Sequence, residues 1–576
     1  MASLRTALAV AVLFAACHTD APHTPRPPGP ARGAQTITIL GTQDLHGALE
    51  RLPILAGYVD NVRAARKADG GAVVLVDAGD LFQGTLESNM TEGSPVIAAY
   101  NAMGYTAAAV GNHEFDFGPP GPAVTIQAAD EDPRGALKER AAEARFPLLA
   151  ANLYDAESNG RIKWPNMPAS ITVDENGVKV GIIGVTTEAT PFTTMPANFK
   201  GLAIAAPATV ITDEATRLRA AGAQIIIVAA HLGSKCKDFA NPTDTSSCDQ
   251  EEEVFKVAQA LPHGLVDVIV AGHTHASVAH RINDIAVVQA YSSGRGLARV
   301  DLRVSASGVV TGSKIYPPRE LCPLPEGADP STPAPPPVAD CHPGEYEGKP
   351  VVVSKAIAAV IAPALDKAKA RREEPVGVEL ATGIPRAYDA ESAQGNWFAD
   401  LMLAARPDAQ IAITNGGGLR ADLAAGPLLY GALFEAMPFD NRFSLVTLEG
   451  KHLRKLVTNN LFGSSGIFSF AGMTVKATCA KGNLKVELFD AKGKPIGDDR
   501  SVTAVTSDFL ASGGDGAIGR LGLPDGAVEV TDVLIRDAIA DVLKKRGGKV
   551  SASDVFDPKK PRLAYPGPRP VKCSGS

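Results

Sequence analysis

The sequence has no excess of positive charge: 56 Lys and Arg stand against 63 Asp and Glu, a formal net charge of -7. That balance argues against wrapping a nucleic-acid polymer, which calls for clustered cations, but leaves room for a small phosphate ester held by a few local charges. No CxxC pair is present, so nothing points to a cysteine zinc site. Beyond the first residues no apolar run is long enough for a membrane-spanning helix. No internal repeat is found; the two halves carry different motifs. What remains is the composition of a globular protein, 45% hydrophobic and 21% charged, in a 576-residue chain too long for a single core.

The first residues read as a leader. Arg5 precedes an apolar run, Ala7 to Ala16, that ends at Cys17. Small residues before a cysteine resemble a bacterial lipoprotein cleavage site, with Cys17 then lipidated; Phe14 stands where Leu is usual, so cleavage without a lipid is the alternative. Residues 1–17 are thus a signal segment and 18–35 a Pro-rich tether. The expectation is an exported protein, periplasmic or at the cell surface, touching a membrane only through a lipid on Cys17. Six further cysteines suit export. Pairing by proximity joins Cys236 to Cys248, Cys322 to Cys341 and Cys479 to Cys573, one of fifteen arrangements.

Short Val- and Ile-rich runs alternate with helical stretches from Thr36 onward. The runs are Thr36–Leu40, Ala72–Val76, Ala107–Val110, Lys179–Val185, Gln224–Ala229, Val266–Val270 and Ile285–Ala290. They read as buried strands, with helices over Asn61–Ala68 and Pro207–Ala221. The pattern predicts an α/β layered domain over 36–318. A Pro-rich connection follows over 319–350, including Pro335, Pro336 and Pro337. A second α/β domain spans 351–565, opening with a helical stretch, Val352–Lys369.

Five short motifs sit at predicted strand ends: Asp44-Leu45-His46, Gly79-Asp80, Gly111-Asn112-His113-Glu114, His231 and Gly272-His273-Thr274-His275. Loops at the carboxyl ends of strands are where ligands converge in α/β sheets. Imidazole, carboxylate and amide oxygen are donors for divalent Zn, Mn, Fe or Co. Asp44 and His46 are two apart, as are His273 and His275; in extended segments each pair faces one side, where it can chelate one ion or flank two. A single such motif is more often a satisfied core or surface residue. Five together would require five of the chain's eleven His to gather at strand ends by chance.

In order, these motifs resemble the metallophosphoesterase (calcineurin-like) signature. The strings Gly111-Asn-His-Glu-Phe-Asp116 and Gly416-Gly-Gly-Leu-Arg420 narrow the resemblance to the 5'-nucleotidase family, over roughly Thr36 to Tyr565. It implies an α/β/β/α sandwich followed by an α/β substrate-binding domain. It also implies two divalent metal ions, one held by Asp44, His46, Asp80 and His275, the other by Asp80, Asn112, His231 and His273. His113 is then not a ligand but the group that stabilises charge or protonates the leaving oxygen, oriented by Asp116. In the second domain the resemblance assigns Asn415, Gly417 and Arg420 to the nucleotide, Phe439 and Phe509 to the two faces of the base, and Asp515 to the ribose hydroxyls. Asn396, in Glu391-Ser-Ala-Gln-Gly-Asn396, falls near the phosphate. Some relatives carry an Arg where Tyr388 stands here, with Arg386 two residues earlier. Metals on one domain and base-binding residues on the other imply a cleft that closes.

The implied substrate is a nucleotide or nucleotide sugar, and the activity that of a 5'-nucleotidase, extending to UDP-sugar hydrolysis. The alternative is a 2',3'-cyclic phosphodiesterase with 3'-nucleotidase activity, which shares these signatures. A non-catalytic surface binding protein would have lost a metal position, and all are filled. A thiosulfate-cleaving relative would not need the Phe439/Phe509 pair and Asp515.

Overall fold

A computed structural model describes residues 33–121, 124–126, 128–323, 338–524 and 526–573. The expected signal segment with Cys17, most of the tether, and Pro335 to Pro337 lie outside these residues. Among the described residues no helix is long and apolar enough to cross a membrane.

The first lobe is built on two sheets packed face to face. In one, Gln35–Thr42 runs parallel to Ala72–Asp77, which continues to Ala107–Ala109 and Leu148–Leu149, while Gly296–Val304 pairs antiparallel on the other flank. In the other, Val178–Thr186, Ile225–His231, Val268–Ala271 and Ile285–Ala290 lie parallel, edged by Ser170–Glu175 and Ser277–Ile282. Ile37, Ile39, Val74 and Val76 meet Val180, Ile182, Ile227 and Val270 between the sheets. Helices Leu52–Asp69 and Ser94–Met103 cover the outside of one sheet, and Pro207–Ala220 and Glu253–Ala260 the other. Every residue of Ile225–His231 is buried because both of its faces are covered, hence its continuous apolar spelling. The layers approach closely at the carboxyl end of the first strand, where a side chain on Gly41 would lie 2.5 Å from Val270.

This is the expected α/β/β/α sandwich, with strands in every expected run and shifts of one or two residues at their ends. Two helices differ more. Leu52–Asp69 begins nine residues before the expected Asn61, because Pro53 sits in its first turn, where the missing N–H costs nothing. The later helix starts at Lys355 rather than Val352, with Ser354 capping it, and runs to Arg372.

The second lobe has a five-stranded sheet ordered Phe468–Ala471, Ile411–Asn415, Ser501–Ser507, Arg442–Glu449, Val528–Leu534. Helices Ala393–Ala405 and Ile535–Arg546 pack on one face. Helix Gly450–Phe462 and the hairpin Met473–Ala480/Asn483–Asp490 pack on the other. All three disulfides form as proximity suggests: Cys236–Cys248, Cys322–Cys341 and Cys479–Cys573.

Helix Lys355–Arg372 joins the lobes. Ile357 and Ile361 belong to the first lobe's core and Ala368 to the second's. At its end Arg372 pairs with buried Glu87 of the first lobe at 2.8 Å and with Glu435 of the second at 3.0 Å. A continuous helix shared by both cores thus stands where the sequence reads as the start of the second domain.

Candidate active site

Two loops after neighbouring parallel strands are zipped together by backbone hydrogen bonds. Asp44 N–H donates to Gly79 O (2.9 Å) and His46 N–H to Asp80 O (3.0 Å). These loops are not extended. Asp44, His46, Asp80, His273 and His275 all have positive φ, between 49° and 75°. Non-glycine residues held there carry roughly 1–3 kcal/mol of strain each, and such residues cluster at functional sites. The expectation that each pair two residues apart shares a face through an extended backbone is therefore corrected. The left-handed turns place Asp44 and His46 in the same donor group, but divide His273 from His275.

The donors fall into two groups, Asp44 with His46 and His275, and Asp80 with His231 and His273. Asp80 Oδ2 lies 3.2 Å from His231 Nε2 and 3.8 Å from His46 Nε2, so it faces both. Asn112 Oδ1 is 2.9 Å from His231 Nε2, on the second group's side.

Second contacts set the tautomers. His46 Nδ1 is 2.8 Å from the Gln83 carbonyl and His231 Nδ1 is 2.9 Å from that of Ala78. A carbonyl only accepts, so Nδ1 of each ring carries a proton, and in the neutral ring Nε2 turns a lone pair inward. That is how metal-binding imidazoles are normally held. His46 Nε2 and His275 Nε2 face each other at 2.9 Å, an arrangement of acceptors that a cation satisfies. Burial holds His46 and His273 neutral, with pKa values lowered to about 3. His231 goes the other way: burial lowers it, but Asp80, Asp44 and Glu114 raise it to about 10. The pocket thus has a negative potential and inward lone pairs, and its residues fit divalent cations.

Glu114 has a part the sequence does not reveal. Its carboxylate accepts N–H bonds from Asp80 (2.9 Å), Leu81 (2.7 Å) and Gly111 (2.6 Å). It clamps the Asp80 turn to the Gly111 turn, where a side chain on Gly111 would lie 2.3 Å from Asp80 Oδ1. Glu114→Gln turns an amide NH2 toward N–H donors. It should weaken divalent-metal affinity by roughly 10- to 100-fold; titration of apo protein with Zn or Mn would reveal it, and unchanged affinity would contradict it.

His113 stands outside both donor groups. Its Nδ1 lies 2.6 Å from Asp116 Oδ2. Burial lowers its pKa, but Asp116 and Asp80 outweigh that and raise it. Asp116 Oδ1 accepts from Thr194 Oγ1 (2.8 Å) and Met195 N–H (3.1 Å). Asp116 is thus tied to the imidazole as expected, but through partners in a segment no motif marks.

The second lobe reaches the same place. An Arg420 guanidinium nitrogen is 3.4 Å from His275 Nε2. The Phe439 ring is 5.5 Å from that of His113 and 5.9 Å from the Arg420 guanidinium. Gln83 and Asn89 donate side-chain N–H bonds to Pro438 O across the seam (3.0 and 3.1 Å). Asn415 Nδ2 donates to Asp515 Oδ2 at 2.6 Å, beside Gly417. Burial raises Asp515 to about 6, against the opposing pulls of Asn415 and Arg569. Phe509 packs on the turn at Gly514, where an added side chain would meet its ring at 2.5 Å. So Arg420, Phe439 and Pro438 of the second lobe meet His275, His113, Gln83 and Asn89 of the first.

Asn396 lies at the start of helix Ala393–Ala405. Its Nδ2 donates to Glu391 Oε1 (2.7 Å), whose carboxylate also accepts the N–H groups of Arg562 and Leu563. That contact ties the helix start to the C-terminal strand. Arg386 donates to Leu419 O, next to Arg420.

Sandwich, buried donors and a facing arginine together define a metal-dependent phosphoesterase. Sequence comparison agrees. The calcineurin-like phosphoesterase family matches residues 37–277 and the 5'-nucleotidase C-terminal domain matches residues 374–520. The chain belongs to the 5'-nucleotidase family, whose members hydrolyse nucleotide phosphates with divalent metal ions. It is 28% identical over 513 residues to Protein UshA of Yersinia enterocolitica, covering 83% of this chain and 86% of that one. It is 25% identical over 520 residues to a 5'-nucleotidase of Vibrio cholerae, covering 83% and 85%. The crystal structure of a 5'-nucleotidase precursor from Thermus thermophilus superposes with a TM-score of 0.69 at 24% identity, over 92% of this chain and 99% of that one.

Proposed function

We propose that this chain is a 5'-nucleotidase that uses two divalent cations and acts outside the cytoplasm, with nucleotide sugars such as UDP-glucose as further substrates. The observation that carries this reading is the meeting of Arg420 and Phe439 with His275 and His113. It sets a phosphate-binding cation and an aromatic face against the metal donors.

Asp44, His46 and His275 would hold one cation, Asn112, His231 and His273 the other, with Asp80 common to both. Bound there, the cations supply Lewis acidity to the phosphoryl oxygens and make water nucleophilic at neutral pH. The Zn, Mn, Co and Fe ions all suit this donor set. Arg420, with Asn415 and the close backbone of Gly417, binds the phosphate bidentately. Phe439 and Phe509 stack on the base and Asp515 accepts from the ribose hydroxyls. His113 gives a proton to the departing 5'-oxygen; Asp116 holds its Nδ1 and keeps the ring charged. Asn396 supports the helix that opens beside this loop. Three disulfides support an oxidising compartment, and a lipid on Cys17 would keep the protein at a membrane.

The test is a panel of 5'-AMP, 3'-AMP, 2',3'-cyclic AMP and UDP-glucose, with metal-stripped and reconstituted protein. 5'-AMP should be the best substrate, and its turnover should vanish on stripping. Preference for the cyclic nucleotide would move the assignment to a 2',3'-cyclic phosphodiesterase. Stacking is worth ~1–3 kcal/mol per base, so Phe439→Ala with Phe509→Ala should raise the KM for 5'-AMP roughly 10- to 100-fold. An unaltered KM would remove the base from the rings.

A further inference from the structure

Residues 190–199 belong to no motif, yet they lie between the catalytic histidine and the sugar-facing loop of the other lobe. On one side they hold the site. Asn112 Nδ2 donates to Thr193 O (3.0 Å), and Thr194 Oγ1 and Met195 N–H both bind Asp116 Oδ1. Asn198 Nδ2 fastens the segment to Phe115 O (2.9 Å) and Val124 O (2.7 Å). On the other side the segment meets the second lobe. The Arg520 guanidinium lies over the Phe192 ring at 4.3 Å. The same guanidinium covers the Asp515–Gly516 turn, where a side chain on Gly516 would lie 3.1 Å from Arg520 Cζ. Pro191, Pro196 and Phe199 line a shallow cleft with Ser512, three residues from Phe509.

Phe192 is 41% exposed. An exposed ring alone would be unremarkable surface, but this one is where the sugar-facing turn touches the segment that holds Asp116. A continuous series of contacts follows: Asp515 turn, Arg520, Phe192, Thr193 to Met195, then Asn112 and the His113–Asp116 pair. Arrival of a nucleoside at Asp515 and Phe509 therefore bears on the same short segment that aims the imidazole.

We propose that Phe192 and Arg520 form a clasp between the lobes that specifies nucleosides through turnover, with Thr194 as the positioning residue that passes the clasp's geometry to Asp116 and His113. This rests on the 5'-nucleotidase reading above. It adds that the nucleoside is rewarded in kcat and not only in binding. A phosphate ester of a simple primary alcohol has the same kind of leaving oxygen but cannot engage the Asp515 turn. It should not feel the clasp.

The experiment compares 5'-AMP with glycerol 3-phosphate in the full-length, metal-loaded protein. Contacts of this kind at exposed sites are weak, so Phe192→Ala and Arg520→Ala should each lower kcat for 5'-AMP by roughly two- to fivefold. Glycerol 3-phosphate turnover should stay at the wild-type value. The double variant should be no worse than either single one, and Phe192→Tyr and Arg520→Lys should restore most of the loss. Thr194→Ala should lower kcat for both substrates by about tenfold or more, with KM little changed, because misplaced catalytic groups cost turnover; Thr194→Ser should restore it. Equal losses on both substrates for the clasp variants, losses confined to KM, or independent effects in the double variant would each overturn the clasp. A wild-type enzyme that hydrolyses glycerol 3-phosphate but not 5'-AMP would instead sink the substrate reading, before any variant is made.

Discussion

Asp80→Ala should abolish both metal binding and hydrolysis, with kcat for 5'-AMP falling on the order of 10³-fold or more. The side chain has no redundancy. Oδ2 faces imidazoles of both donor groups, while Oδ1 accepts the His113 N–H at 2.9 Å. It is also a buried carboxylate facing His231, His113 and His46, so alanine removes the negative charge that would draw cations into this pocket. The backbone loses as well, because Asp80 has φ of 59°, where Asp is better tolerated than Ala. Asp80→Asn separates these effects: it keeps shape and turn but not charge. Metal content by atomic absorption should drop in both variants, and more so in Asp80→Ala. Full metal occupancy with normal turnover in Asp80→Asn would show that a bridging carboxylate is not needed.

His113→Ala should lose about 10²- to 10⁴-fold in kcat, the usual range for a general acid, while keeping its metal. The contrast with Asp80 is the point. The His113 ring sits 5.4 Å from the His46 ring and 5.5 Å from Phe439, between the donors and the base-facing lobe. Its Nδ1 is taken by Asp116, so only Nε2 is available to a leaving oxygen. An alkoxide leaving group needs a proton and a nitrophenolate does not. The loss should therefore shrink sharply when 4-nitrophenyl phosphate replaces 5'-AMP. Asp116→Asn should reproduce the pattern more weakly, since the ring remains but loses the carboxylate that keeps it charged and oriented. Equal losses on both substrates would assign His113 to charge stabilisation instead of proton transfer, and loss of metal would make it a ligand.

Much of this site is legible in the chain because its donors are local in sequence and chemically distinctive. Asp44-x-His46, Asp80, Asn112-His113, His231 and His273-x-His275 lie at or just after strand ends, and strands are spelled by runs of Val and Ile. The backbone at these donors is not legible. Alternation predicts extended pairs, yet tertiary hydrogen bonds between the 44–47 and 79–81 loops impose left-handed turns. Glu114 stands inside the motif, but its three N–H partners come from two loops, and only their meeting reveals a clamp. Thr194 and Arg520 carry no signal at all, because a threonine and an arginine in such surroundings occur everywhere on protein surfaces.

Composition and pattern by themselves pointed to a layered α/β domain, a second α/β lobe and the side chains able to face a cation, since apolar periodicity and donor chemistry are properties of short stretches; the sandwich came from the family resemblance and the disulfide pairs from proximity in the chain. Tertiary structure alone decided that helix Lys355–Arg372 is shared by both cores, that left-handed turns carry His273 and His275, that Asn396 turns to Glu391, and that Arg420 and Phe439 reach the first lobe. Each of these depends on contacts between residues tens to hundreds of positions apart, whose energies come from packing and hydrogen bonds that no local window contains.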